Sequence, residues 1–148
     1  EKMLNVAKKN LEDMGVEADL EVKDITKGLD GEYELITFLN NGLGNLYVER
    51  IPPRELREIA ISEISDHLTG DFILSVYNKE SLEEEYGKCF TILEEKECDF
   101  IIGYDSIEGL IPYYSHWFTE AEVRDYSKDI QLDFLEKRMS RIVARYRK

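Results

Sequence analysis

The chain has 148 residues, 43% apolar and 34% charged, a size and balance that suit one globular domain and exclude a disordered or fibrous protein. Its 32 acidic residues against 19 basic ones give a formal charge of −13, which disfavours direct binding to nucleic acid or to an anionic membrane. The charge is unevenly placed: Lys137, Arg138, Arg141, Arg145, Arg147 and Lys148 hold six of the bases, leaving thirteen against all 32 acids in residues 1–136, a balance of −19.

No apolar run approaches the ~18 residues a membrane helix needs, and residues 1–15 read as a polar helix rather than a signal peptide, so a cytoplasmic location is expected. Cys89 and Cys98 are too few for a disulfide framework. They read as a reduced pair, with a single bridge left open.

Met3, Leu4, Val6, Ala7, Leu11 and Met14 recur at helical spacing before Gly15, so the chain opens with a helix. Leu20 and Val22 alternate with Glu21 and Lys23, as in a half-buried strand. Residues 32–39 and 45–51 are apolar, β-branched and aromatic and flank Asn40, Asn41, Gly42, Leu43 and Gly44, which predicts a β-hairpin. Pro52 and Pro53 then introduce a helix whose face is Leu56, Ile59, Ala60, Ile64 and Leu68, with Gly70 as its stop.

Residues 71–77 read as a strand buried on both faces. Ser81 and Glu84 form a capping-box pattern ahead of Leu82, Tyr86, Cys89, Phe90 and Leu93, which predicts a further helix. In that version residues 71–104 are a βαβ unit. The alternative pairs residues 89–93 as a strand with 98–104 across Glu94, Glu95, Lys96 and Glu97. Residues 105–118 read as irregular, and Thr119 with Glu122 opens a basic C-terminal helix, or helix pair, over about 119–147, striped by Leu132, Leu135, Met139, Ile142 and Tyr146. The fold class expected is α+β: a mainly antiparallel sheet of about five strands, with a β-hairpin and the βαβ unit of the helical version, packed against about four helices in a single domain, 1–148.

His67, Cys89, Cys98 and His116 lack the close ligand pairs of structural zinc sites, so no metal is expected. Asp66 beside His67 cannot orient it as a triad requires, and Gly42 and Gly44 open no helix that would hold a phosphate, so no cofactor and no catalytic residue is assigned. Asp19, Glu21 and Lys23 on one strand face could converge on a divalent ion. Over these five residues the pattern resembles the E-x-K strand of restriction-type nucleases, which would imply a metal-dependent nuclease or hydrolase.

Glu83, Glu84, Glu85, Glu94 and Glu95 are the expected acidic surface. Tyr113, Tyr114, His116, Trp117 and Phe118 concentrate rigid aromatic area on a predicted loop and are the expected partner-binding residues. The favoured reading is a non-enzymatic acidic domain acting by stoichiometric protein–protein interaction, as an inhibitor, immunity-type or nucleic-acid-mimic protein. Its partner would be a protein with a basic or mixed surface, with no direct nucleic acid and no membrane, and the chain a monomer or homodimer. The alternatives are the hydrolase built on Asp19, Glu21 and Lys23, and a small-molecule-binding or assembly module.

Overall fold

The computed structural model describes residues 2–81, 91–107, 109–126 and 130–148. Among these are three α-helices and seven strands in two separate sheets. The expected single antiparallel sheet under four helices is therefore corrected, and each correction traces to a place where long-range pairing overrides local pattern.

Helix α1 spans Lys2–Met14 and ends at Gly15 with φ +66°, as its spacing predicts. The strand expected around Leu20 and Val22 does not form: residues 16–24 have no strand partner, and Val22 is 76% exposed. Strand β1 is Tyr33–Phe38. Asn40 and Asn41 do take left-handed φ values of 54° and 61°, but the chain then tightens into a 3-10 turn at Leu43–Asn45 instead of returning as a strand. Residues 46–52 contribute only the isolated bridge Val48 to Ile51, so there is no hairpin.

Helix α2, Pro53–His67, starts on its prolines as expected and buries Leu56, Ala60, Ile61 and Ile64. It passes straight into β2, Leu68–Tyr77, without stopping at Gly70. Gly70 serves a different end: a Cβ there would collide with the Glu34 carbonyl, so its bare backbone lets β1 and β2 approach. β1 and β2 pair in parallel from Tyr33 with Leu68 to Phe38 with Leu74, making β1, α2 and β2 the βαβ unit of the protein.

The second sheet consists of β3 (Thr91–Lys96), β4 (Asp99–Ser106) and β5 (Gly109–His116), paired antiparallel in that order. Most of the helix expected over 82–93 lies outside the described residues, but Thr91, Ile92 and Leu93 are strand. The alternative pairing is the one that forms, turning at Glu97 with φ 58°. Because β2 and β4 belong to different sheets, the βαβ unit expected over 71–104 does not exist.

The largest correction is at the C-terminus. The Thr119 capping box does open a helix, but α3 covers only Glu120–Asp125. The rest is a hairpin, β6 (Gln131–Arg138) and β7 (Arg141–Arg147), turning at Met139 and Ser140. β7 enters the first sheet between β2 and β6, giving the order β1-β2-β7-β6, with seven residues paired to β2. Ile142, Ala144 and Tyr146 are fully buried. The basic terminus lies back on the acidic body: Lys137 meets Glu80 and Glu120, Arg138 meets Glu136, Arg145 meets Asp133, and Arg147 meets Asp71. Such exposed pairs contribute ~0–1 kcal/mol each, so they orient the hairpin more than they hold it.

The main core joins α2 to the first sheet through Ile64, Phe72, Leu74, Val76, Phe118, Val123 and Tyr146. A smaller core gathers Phe100 and Ile102 around Trp117. The chain leaves β5 and crosses between them: Trp117 N–H donates to the Cys98 carbonyl, Phe118 N–H to the Tyr77 carbonyl, and Phe118 bridges Asn78. The second sheet is thereby anchored at the C-terminal end of β2. Among the described residues no helix is long and apolar enough to cross a membrane.

Candidate functional site

In an open α/β sheet, ligands collect outside the carboxyl ends of the parallel strands. Here β1 and β2 both deliver their C-terminal ends to the last residues of β5. Asn41, fully buried, is the joint. Its side-chain oxygen accepts from Tyr77 N–H at 3.0 Å, and its amide nitrogen lies 3.1 Å from both the Ser115 hydroxyl and the His116 carbonyl. The left-handed backbone at Asn41 lets a side chain that usually sits in surface turns fold inward and satisfy three segments.

Beyond this joint runs a chain of polar groups. Arg57, on the buried side of α2 and 5% exposed, donates through Nη1 to the Tyr114 hydroxyl at 3.0 Å. Tyr114 donates to Asp99 Oδ1 at the start of β4. The same Asp99 oxygen lies 2.7 Å from His116 Nδ1, and His116 Nε2 lies 3.0 Å from Glu122 Oε1 on α3. Glu122 Oε2 accepts from the Thr119 backbone N–H at 2.8 Å and its hydroxyl at 2.9 Å, which is the capping box read from sequence. Tyr114 and His116 reach the same carboxylate because alternate residues of a strand share a face.

The electrostatics follow from these contacts. Burial would raise Glu122, but the hydrogen bonds from His116 and Thr119 outweigh it and bring its pKa down to about 2. Asp99 is held below the usual carboxylate range in the same way, burial being overcome by Tyr114 and His116. Burial and the bond to Asp99 push the Tyr114 hydroxyl up, so it stays a donor. A ring with hydrogens on both nitrogens satisfies both carboxylates; a neutral ring satisfies one.

The two ends of this chain open on one cavity of about 430 Å³, lined by Arg54, Arg57, Glu58, Ile61 and Ser62 of α2, by Glu122 and Asp125 of α3, and by Tyr126. That volume is within the range of small-ligand pockets. Burial raises Tyr126 to about 12, so its hydroxyl is also a donor. His116, 3% exposed, cannot touch a ligand there; it fixes Glu122, which can.

The residues singled out from sequence are distributed differently. Tyr114, His116, Trp117 and Phe118 are buried and Tyr113 is half-buried, so the predicted aromatic loop is the end of a strand and its rings face inward. Trp117 packs against Tyr77 and Phe100, and Phe118 meets the His116 ring edge-on at 4.6 Å. Glu94 and Glu95 are exposed on β3, and Glu83, Glu84 and Glu85 lie outside the described residues. Asp19, Glu21 and Lys23 share no strand face; Lys23 is bound by Asp30, and no metal-competent group of three occurs among the described residues. Cys98 is a free, partly buried thiol whose pKa is raised chiefly by burial. Arg57, Asp99 and the cavity wall were missed. The available signal was the alternation of Tyr114 and His116 with the capping-box Glu122 six residues on.

No family model matches the sequence, and no curated protein does. Solved structures do. An S-adenosylmethionine-dependent methyltransferase from Clostridium acetobutylicum superposes with a TM-score of 0.70 at 15% identity, covering 99% of this chain and 71% of that one. The PH0226 protein of Pyrococcus horikoshii gives 0.70 at 16% identity over 99% and 69%. The CcbJ methyltransferase of Streptomyces caelestis gives 0.59 at 16% identity over 85% and 62%. The chain therefore has the α/β fold that these structures share, two of which are described as methyltransferases, and the expectation of a non-enzymatic acidic binding domain is corrected: it rested on composition, and the fold is not the one expected with it.

S-adenosylmethionine is the cofactor such a fold implies. A cradle would have to lie where strand order reverses, at the carboxyl end of β1. But β1 is the bare edge of its sheet, with Leu35 55% exposed. Its C-terminal turn is also filled: a Cβ on Gly44 would sit 2.6 Å from the Asn41 amide. The described residues do not by themselves form a cradle for the cofactor.

Proposed function

We propose that this chain supplies the acceptor-binding side of a small-molecule methyltransferase. The observation that supports the reading is the sheet itself: the order β1-β2-β7-β6, with one parallel pair and an antiparallel C-terminal hairpin, matches a methyltransferase over 99% of the chain.

This chain's residues would bind and orient the acceptor. Glu122 reaches the cavity, but with a pKa of about 2 it is too weak a base to take a proton from an amine or alcohol near neutral pH. Its part is to hold and point the acceptor, while the Tyr126 hydroxyl donates a hydrogen bond. An acceptor that arrives with a free lone pair, or that gives its proton to water, fits this wall.

The test is transfer of label. The protein as it occurs in its cell is incubated with methyl-tritiated S-adenosylmethionine and a fractionated small-molecule extract, and label should appear in a low-mass product. Absence of any labelled low-mass product would sink the reading.

A further inference from the structure

A buried guanidinium without a direct ion pair stands out in the cavity wall. Arg57 is 5% exposed, yet among the described residues it makes no direct ion pair: its side-chain hydrogen bonds go to the hydroxyls of Tyr114 and Tyr126, and the Asp99 carboxylate acts on it only from the far side of Tyr114. The face of the Phe118 ring, 5.8 Å from the guanidinium carbon, adds only a weak cation–π attraction. Buried charges are ordinarily paired, because an isolated one forfeits its hydration without compensation. The planar guanidinium presents a fork of donors that matches a carboxylate.

The opposite wall has the opposite charge. Glu122 is fixed by His116 and Thr119, and Asp125, one turn along α3, has no partner among the described residues. Arg54 and Glu58 pair with each other at the rim, 3.1 Å apart. A purely anionic ligand would have to approach a chain of formal charge −13, whereas a ligand bearing both signs would not be repelled.

We propose that the cavity between α2 and α3 is a binding site for a small zwitterion, whose carboxylate is taken by Arg57 and whose ammonium group is taken by Asp125 and Glu122. The site stands on the cavity's own residues and needs no cofactor, so it is independent of the methyl-transfer reading and is tested without it.

Three probes of equal chain length separate the elements: 4-aminobutanoate, butanoate and butylammonium, titrated calorimetrically at constant ionic strength. The zwitterion should bind at 1:1 and at least tenfold more tightly than either single-charge probe. Arg57→Lys keeps the charge but loses the fork, and should weaken the zwitterion tenfold or more. Asp125→Asn should bring its affinity close to that of butanoate. Should Arg57→Lys not fold, Asp125→Asn and Lys96→Gln, both at exposed positions and the second away from the cavity, carry the test: the first should weaken binding and the second leave it within about twofold. Equal binding of butanoate and 4-aminobutanoate overturns the ligand class. Absence of zwitterion binding, or full affinity in Asp125→Asn, overturns the site.

Discussion

Arg57 on α2 and Glu122 on α3 face the same cavity and are joined behind it, hand to hand, by Tyr114, Asp99 and His116. The linkage gives a wall of two helices and two strands one shared set of hydrogen bonds, so a change at one end is felt at the other.

Tyr114→Phe removes the hydroxyl between Arg57 and Asp99 while keeping the ring that packs 5.4 Å from Tyr47. Asp99 is partly exposed and can turn to water; Arg57, 5% exposed, has only the cavity to turn to. The expected loss is about 1–3 kcal/mol, the cost of a buried donor left without its partner. Urea denaturation should show a lower midpoint at an unchanged slope.

Acid should act through the carboxylates. Glu122 falls from the ordinary 4.5 to about 2 in the folded chain, and Asp99 is also lowered. For groups depressed by folding, the stabilisation is complete above the unfolded pKa and is lost as pH falls through the folded one. The window is therefore pH ~4.5 down to ~2, and since both groups touch water the effect is discounted to about 1–2 kcal/mol. Thermal melting followed from pH 6 to 2 should steepen in that window. Glu122→Gln should be less stable at pH 6 and flatter below it; an equally steep curve in the variant would place the acid sensitivity elsewhere.

What sequence could reveal depended on whether the signal was local. The N-terminus of α2 was legible because Pro53 and Glu55 act on their own turn, and the Thr119–Glu122 box because its two bonds close within three residues. The turn at Asn40 and Asn41 was legible as backbone, but not its consequence: Asn41 turns inward to serve Tyr77, Ser115 and His116, partners 36 to 75 residues away. Leu132, Leu135, Met139, Ile142 and Tyr146 imitate a helical stripe by coincidence of two strands and a turn. The period-two burial of Ile142, Ala144 and Tyr146 was present in the same residues and decides the matter only once β2 is there to pair with. The polar chain behind the cavity draws on α2, β4, β5 and α3, and no spacing rule brings those together.

Gly70 gives a backbone test of the parallel pair. A methyl group there would meet the Glu34 carbonyl, which belongs to the facing strand and cannot rotate away. Gly70→Ala should cost about 1–3 kcal/mol, as overpacking against fixed neighbours does. Amide exchange should quicken along Ile36, Thr37 and Phe38 more than in β6. Gly109→Ala, with nothing within 4 Å but φ +106°, should strain only its own turn and leave β1 protected.

The last prediction separates strand from helix at the C-terminus. If residues 142–147 form β7, aspartate placed singly along them should damage the fold with period two. At Ile142, Ala144 and Tyr146 the new carboxylate would be buried without a partner, and the protein should lose about 3 kcal/mol or more. Tyr146 should be the most sensitive, because its ring stacks on Phe72 at 5.5 Å and its hydroxyl donates to the Val123 carbonyl at 2.6 Å. At Arg147, exposed at the end of the strand, the change should stay at ~0.5 kcal/mol beyond the ~0–1 kcal/mol of each of its ion pairs, with Asp71 and Asp133. A helix would instead spare alternate positions irregularly, grouping 142 with 145 and 146. Melting temperatures of the six variants are enough to tell: damage at 142, 144 and 146 with relief between them supports the hairpin, and equal damage at 142, 145 and 146 with relief at 144 would return the C-terminus to a helix and remove β7 from the centre of the sheet.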